Sequence, residues 1–315
     1  MKKTIIALSL FPSLSLVSTL NAVDYTWTGA TDTDWGTASN WSPSGIPNLN
    51  GTDNATVNGA TVYTAGGDLI LSTGSTLTIQ GSGSWVQEGG IAWIQASGGT
   101  LTIEAGGSFD TGTAGNYNNT GANTLNIGGV FDVHGIELSL DDDSMTISAG
   151  GNFSTTANFI ISADAANFLM TGGIANTAEF KPNGTSNATI NGGVFNASLV
   201  SFDGGNASKI NLGGDGRLNL SGGDNFQGIF ALGDDDYVNI TSSTSVLFID
   251  NLDEANKDIL LASGRVRVND VNSGVIATAV DGGYEFTSTI PEPSTYVGMM
   301  GLATLGVLLV RRRKQ

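Results

Sequence analysis

Short runs of alternating apolar and polar residues occupy the middle of the chain. A period of two is typical of strands with one buried face, and the runs are bounded by Gly, Asn, Ser and Asp, which favour turns. The clearest form is an apolar-polar-apolar triplet whose two apolar side chains would face a core. It recurs at Leu77-Thr78-Ile79, Leu101-Thr102-Ile103, Leu125-Asn126-Ile127, Met145-Thr146-Ile147, Ala188-Thr189-Ile190, Ile210-Asn211-Leu212 and Val238-Asn239-Ile240.

A pair of glycines repeats in step with these triplets. An apolar residue such as Phe109, Phe131, Phe153 or Phe195 follows most pairs. The pairs begin at Gly106, Gly128, Gly150, Gly172, Gly192 and Gly213, at intervals of 22, 22, 22, 20 and 21 residues.

This repeat length is that of one coil of a parallel β-helix. The sequence therefore predicts an all-β fold, a right-handed parallel β-helix (solenoid), with the phenylalanines stacked inside. The glycines would supply positive φ angles at the corners. The alternative is a β-sandwich of regular hairpins, with turns at Asn58-Gly59 and Asn183-Gly184.

The first residues predict a secretory signal. Lys2 and Lys3 precede an apolar stretch, and Ala22 is a small residue suited to cleavage. We therefore predict a signal peptide over 1–22, cleaved after Ala22, and an exported body over 23–289; a buried N-terminal helix is the alternative.

The body divides further by pattern. A cap is predicted over 24–58 and coils over 59–242. Closing strands are predicted over 243–289, where Val246–Ile249, Asp258–Leu261 and Arg265–Val268 are the candidates.

The C-terminal segment 290–315 has three parts in a fixed order. Pro291-Glu292-Pro293 would form an extended stretch, because proline cannot continue a helix. An uncharged apolar run over 296–310 follows and predicts a short transmembrane helix. Arg311, Arg312 and Arg313 come next, which places the tail in the cytoplasm and the body outside.

This order resembles the PEP-CTERM sorting signal of Gram-negative bacteria, a tail that has also been named after an ice-binding protein that carries it. The resemblance implies an exosortase as processing partner in the inner membrane. It also implies cleavage near Pro291-Glu292-Pro293 and delivery to the cell surface or exopolysaccharide matrix. An ordinary single-span anchor is the alternative.

The region before the coils contains Trp27, Trp35 and Trp41 in a Trp-Gly…Trp…Asn-Trp…Pro pattern. It resembles the N-terminal region of autotransporter-like passenger β-helices. The tryptophans would either pack as a cap, which we favour, or form an aromatic platform for sugars.

Composition excludes several classes of protein. The chain has 315 residues, 45 glycines, no cysteine and a net charge of −17, and half of its basic residues lie at the two ends. Without cysteine there is no disulfide scaffold and no thiolate metal site. An acidic body without a basic patch does not bind nucleic acid.

Candidate chemistry is limited because the chain has one histidine, His134. Asp132 lies two residues earlier, on the same strand face, and Asp110 aligns one coil away. Such a cluster could supply the acid and base of a β-helical polysaccharide-degrading enzyme. We favour a solvated polar ladder, since later copies carry Ser154 and Asn196 at this position.

Two further patterns have a functional and a plain interpretation. The acidic runs Asp141–Asp143 and Asp234–Asp236 could bind Ca²⁺, but solvated turn aspartates are favoured. Thr76, Thr78, Thr100, Thr102, Thr124 and Thr146 would form an outward array that resembles the face of ice-binding β-helices. Threonine is also simply a good exposed strand residue, and we favour that interpretation.

Together these observations predict a non-enzymatic structural or adhesive protein of the cell surface, associated with exopolysaccharide or surface glycan. No cofactor and no metal site are predicted. The alternatives are a polysaccharide-degrading enzyme that uses Asp110, Asp132 and His134, and a module that binds glycan or ice.

Overall fold

The computed structural model describes residues 21–289, apart from 66–68, 89–91, 113–114, 120, 135–136, 163–165, 184–186, 203–207, 223–229 and 232–235. The hydrophobic part of the predicted signal peptide and the whole segment 290–315, including its predicted helix, lie outside the described residues. Within the described part, no helix has the length and apolar character needed to cross a membrane.

The described chain is dominated by short strands. In chain order they are β1 (Asp24–Trp27), β2 (Trp41–Ser42), β3 (Asn54–Asn58), β4 (Thr61–Ala65), β5 (Leu69–Ser72), β6 (Thr76–Gln80), β7 (Ser84–Glu88), β8 (Ala92–Ser97), β9 (Thr100–Ile103), β10 (Ser108–Asp110), β11 (Gly115–Asn119), β12 (Thr124–Ile127), β13 (Val130–Val133), β14 (Leu138–Leu140), β15 (Ser144–Ile147), β16 (Asn152–Thr155), β17 (Asn158–Ile161), β18 (Asn167–Pro182), β19 (Asn187–Ser201), β20 (Lys209–Leu212), β21 (Arg217–Leu220), β22 (Phe230–Ala231), β23 (Tyr237–Ile240), β24 (Val246–Asp250), β25 (Val266–Val268), β26 (Val275–Val280) and β27 (Gly283–Ser288). A 3-10 turn covers Ala38–Asn40, and one α-helix, α1, covers Glu254–Ala262.

The strands form three parallel ladders that run along one solenoid. The first ladder contains β1, β3, β6, β9, β12 and β15, the second contains β4, β7, β10, β13 and β16, and the third contains β5, β8, β11, β14 and β17. β18 and β19 are long enough to bend through all three ladders. β20, β23 and β25 then continue the first ladder, β21 and β24 the second, and β22 the third.

Parallel pairing confirms the β-helix and excludes the sandwich of hairpins. Among the described strands, antiparallel pairing occurs between β1 and β2, and between β27 and both β24 and β26. The triplets stack in register, so that Leu77, Leu101, Leu125 and Met145 lie one above another and are buried. The strands that carry these triplets therefore place one face in a common core, as the period of two requires.

An aromatic row runs through this core, as predicted. Ring centroids lie 5.8 Å apart between Trp85 and Phe109, 5.7 Å between Phe109 and Phe131, and 5.9 Å between Phe131 and Phe153. All four side chains are fully buried. Aromatic pairs at such distances add about 0.5–1.5 kcal/mol each beyond the burial of their area.

The paired glycines are needed for two different reasons. Gly106 and Gly150 have φ angles of +85° and +87°, which confirms the predicted corner conformation at these positions. Gly129 does not have such an angle, contrary to the prediction. A Cβ there would lie 2.2 Å from the carbonyl oxygen of Gly107 in the previous coil, so the close approach of two backbones requires glycine.

The N-terminal end of the solenoid is covered by tryptophans. The rings of Trp27 and Trp41 are 4.9 Å apart, and Trp35 lies 4.5 Å from both Trp41 and Trp85. Trp27 and Trp41 are buried, so they form a cap over the aromatic row rather than a platform for sugars. The first ladder already includes β1 and β3, which lie within the segment predicted as cap.

The C-terminal end is closed by α1 and by the antiparallel strands β26 and β27. The prediction of a strand over Asp258–Leu261 is wrong, because this stretch belongs to α1. Asp253 caps the helix by accepting a hydrogen bond from the Asn256 backbone N–H at 2.7 Å. Leu260 of this helix is fully buried in the core, and Leu261 packs against the core while partly buried.

Candidate functional site

The cluster of Asp110, Asp132 and His134 lies on the outer face of the second ladder. Asp110 ends β10 and pairs with Asp132 of β13, and His134 directly follows β13. The His134 Nε2 atom is 3.2 Å from the Asp110 Oδ1 atom and 3.4 Å from the Asp132 Oδ2 atom. The structure therefore brings together the three residues that the sequence singled out.

Neighbouring groups hold both carboxylates in place. The Asp132 Oδ1 atom accepts a hydrogen bond from the Ser154 hydroxyl at 2.8 Å, and the Asp110 Oδ1 atom accepts one from the Gly112 backbone N–H at 2.7 Å. The side chains of Asp110, Asp132 and His134 are 39%, 34% and 43% exposed.

The same outer row continues as a ladder of amides. The Asn196 side-chain amide donates to Asn176 Oδ1 at 2.9 Å, and the Asn219 amide donates to Asn196 Oδ1 at 2.8 Å. One polar residue per coil thus occupies this row over much of the solenoid. The cluster around His134 is the charged part of a longer polar ladder.

The acidic runs are not simply solvated turn aspartates, and that prediction is wrong for Asp143 and Asp236. Both are buried at the position just before a strand of the first ladder, where the corner turns a polar side chain inward. Asp141 and Asp142 are exposed, as predicted, whereas Asp234 and Asp235 lie outside the described residues. Among the described residues, no group of three or more His, Asp and Glu side chains is placed to hold a metal ion.

Asp143 belongs to a buried polar corner that links three coils. Its Oδ1 atom accepts hydrogen bonds from the backbone N–H and the side-chain amide of Asn123, at 2.8 and 2.9 Å. The Asn123 Oδ1 atom in turn accepts from the backbone N–H groups of Gly98 and Gly99. The Asp143 Oδ2 atom is buried without a hydrogen-bond partner. Burial raises the pKa of Asp143 to about 7.

The predicted threonine array is present on the outer face of the first ladder. Thr78, Thr102, Asn126 and Thr146 lie in register, one per coil, and Thr56 extends this row by one more strand. Their side chains are half-buried between those of neighbouring coils.

A groove of about 370 Å³ flanks this row, and it was not predicted from the sequence. The corner after β12 has two residues, Gly128 and Gly129, between Ile127 and Val130. The corresponding corners of the coils on either side have two residues more. The short corner leaves a depression lined by Thr102, Ile103, Glu104, Ala105, Asn126, Ile127, Gly128, Thr146, Ser148 and Ala149. In the sequence, the sign of this groove is that the corner after β12 is two residues shorter than those after β9 and β15.

Comparison with known proteins bears on the end of the chain. A family model described as the PEP-CTERM protein-sorting motif matches residues 289–314, and this match begins one residue after β27 ends. Residues 289–314 are a PEP-CTERM sorting motif. This motif implies that the solenoid is exported through the membrane to the cell surface and processed by an exosortase. Neither a curated protein nor a solved structure matches the chain.

Proposed function

We propose that the protein is a non-enzymatic structural or adhesive component of the cell surface, held in the exopolysaccharide matrix of a Gram-negative bacterium. The observation that carries this proposal is the sorting motif, which directly follows a solenoid closed at both ends. Such a signal delivers the entire body to the outside, where a solenoid can present long, regular faces to a polymer.

The surface of the solenoid supports this role. Its outer rows repeat hydroxyl and amide groups once per coil, at the spacing of parallel strands, about 4.8 Å. A polysaccharide also repeats its hydroxyl groups along its length, so many weak contacts can act together. Multivalent contact of this kind gives retention without a single strong site.

A second candidate function is cleavage of a polysaccharide. The observation in its favour is the contact of His134 with both Asp110 and Asp132. General acid-base catalysis needs a proton donor and an acceptor within reach of one bond. The three side chains are half-exposed and belong to a longer polar ladder, and a structural role explains this arrangement equally well. We therefore place this candidate second.

One experiment separates the two functions. Residues 23–289, which contain the complete core and both caps, are incubated with the exopolysaccharide of the producing bacterium. We expect the protein to sediment with the polymer and the polymer length, measured by size-exclusion chromatography, to stay constant. Asp132→Ala should sediment equally well, because a solvated ladder residue contributes less than about 0.5 kcal/mol.

A different result would assign the second function. If the wild-type protein shortens the polymer, and the rate of shortening falls by about 10²-fold or more in Asp132→Ala, the cluster is catalytic. Failure of the wild-type protein to sediment with the polymer would contradict a role in the matrix.

A further inference from the structure

The groove beside the threonine row combines two surfaces of different chemistry. One wall carries Thr102, Asn126 and Thr146, which offer a hydroxyl, an amide and a hydroxyl in consecutive coils. The short corner at Gly128 forms the floor, and Ala105 and Ala149 lie on the longer corners of the two neighbouring coils. The rest of the lining is Ile103, Glu104, Ile127 and Ser148. A ligand in the groove would therefore meet both hydrogen-bonding groups and small apolar groups.

The groove is built into the backbone rather than formed by mobile side chains. Both flanking corners are longer than the Gly128–Gly129 corner between them, and each corner is fixed by the strands on either side. The Gly128 N–H donates to the Ile103 carbonyl oxygen at 2.6 Å, which ties the floor to the previous coil. Its volume of about 370 Å³ is within the range of ligand sites, about 300–1,000 Å³.

Charge restricts the class of ligand. Glu104 is the charged residue in the lining, and the chain as a whole carries −17. An anionic polymer would be repelled from this position, because no lining cation offsets the carboxylate. A sugar chain without charge has both required features, since its rings present hydroxyl groups at their edges and C–H groups on their faces.

We propose that this groove binds a neutral polysaccharide, with Thr102, Asn126 and Thr146 as hydrogen-bonding partners and Ala105 and Ala149 against the sugar face. This inference rests on the proposed function and deepens it by naming the site and the class of glycan. The bound segment would contact the three consecutive coils that carry Thr102, Asn126 and Thr146.

The test uses residues 23–289 and the exopolysaccharide of the producing bacterium, separated by anion exchange into a neutral and an anionic fraction. We expect the neutral fraction to bind in affinity electrophoresis. Ala149→Trp and Ala105→Trp, which fill the groove from exposed positions, should each weaken binding by about tenfold or more. The double variant Thr102→Val/Thr146→Val should weaken it as well. Thr189→Val is the matched control, because Thr189 occupies the same row beyond the groove.

Several outcomes would overturn the proposal. Binding of the anionic fraction alone, or wild-type binding in both tryptophan variants, would show that the groove is not the site. Loss of binding after protease treatment of the neutral fraction would identify a peptide as the occupant. The sedimentation assay decides separately on the role in the matrix. If the wild-type protein still sediments with the whole polymer, that role stands although the groove is not the site. If the wild-type protein does not sediment, the role in the matrix is contradicted.

Discussion

At the scale of single residues, the polar corner around Asn123 and Asp143 shows how a solenoid satisfies buried groups at its bends. Asn123 completes hydrogen bonds for backbone N–H groups of the preceding coil and donates to Asp143 of the next. Unpaired backbone groups at such a bend would be costly because water cannot reach them. The Oδ2 atom of Asp143 is still buried without a hydrogen-bond partner, so the loss of its hydration is not compensated.

Asp143 should make stability depend on pH between about 4 and 7. Its pKa is about 7 in the folded protein and about 3.9 when unfolded. In this window the folded state holds a proton that the unfolded state has released, so the free energy of unfolding falls as pH rises and levels off above 7. Asp143→Asn removes this dependence. We expect the difference in thermal midpoint, Asp143→Asn minus wild type, to increase by a few degrees between pH 4 and pH 7.

The control for this prediction is Asp142→Asn, at an exposed residue with a φ of +62°, a conformation that asparagine also tolerates. Thermal unfolding followed by circular dichroism at pH 4, 5, 6, 7 and 8 measures both variants. A constant difference between Asp143→Asn and the wild type over this range would contradict an elevated pKa in the folded state.

At the scale of elements, the second ladder gives each strand one buried and one exposed face. In β13, Phe131 is fully buried in the aromatic row, whereas its neighbour Val130 is 41% exposed. Phe131→Asp would place a carboxylate in this row, at a cost of several kcal/mol, and should unfold adjacent coils. Val130→Asp adds the same charge on the outer face and should fold normally.

Far-UV circular dichroism and thermal unfolding compare the two variants. We expect loss of strand signal, or a strongly lowered midpoint, for Phe131→Asp, and wild-type behaviour for Val130→Asp. Equal behaviour of the two variants would mean that β13 does not face the core as described.

The elements also show which parts of the fold the sequence predicts. A period of two and a repeat of about 22 residues predict the strands, the coils and the buried Phe131, because each copy reinforces the same pattern. α1 occurs once and lacks that support. The strand prediction here rested on the apolar run Ile259–Leu261, and the N-cap Asp253, at which the helix starts, played no part in it.

The candidate sites were predictable to different degrees for a similar reason. Asp110, Asp132 and His134 align by repeat position, so their contact follows from the parallel register. The burial of Asp143 depends on the direction in which a corner turns. The alternation of apolar and polar residues within strands does not predict that direction. The groove beside Gly128 arises from a difference in length between neighbouring corners, and it becomes visible only when the coils are stacked.

At the scale of the whole molecule, both open ends of the solenoid are covered. The tryptophan cluster closes the first coil, and α1 with β26 and β27 closes the last. Covered ends prevent the parallel ladders from pairing end to end with other copies. The sorting motif follows β27 without a long linker, so processing there leaves the solenoid whole.

The mature surface protein should therefore lack two segments: Met1–Ala22, and the part of the chain after Pro291-Glu292-Pro293. Cleavage at these positions leaves a body of strands and caps with no apolar tail, which can leave the membrane. Mass spectrometry of the exported form measures both termini. Replacing Pro291, Glu292 and Pro293 by alanine should keep the tail attached and the protein in the membrane fraction. Recovery of an intact Arg311–Gln315 end from the exported wild type would instead indicate a permanent single-span anchor.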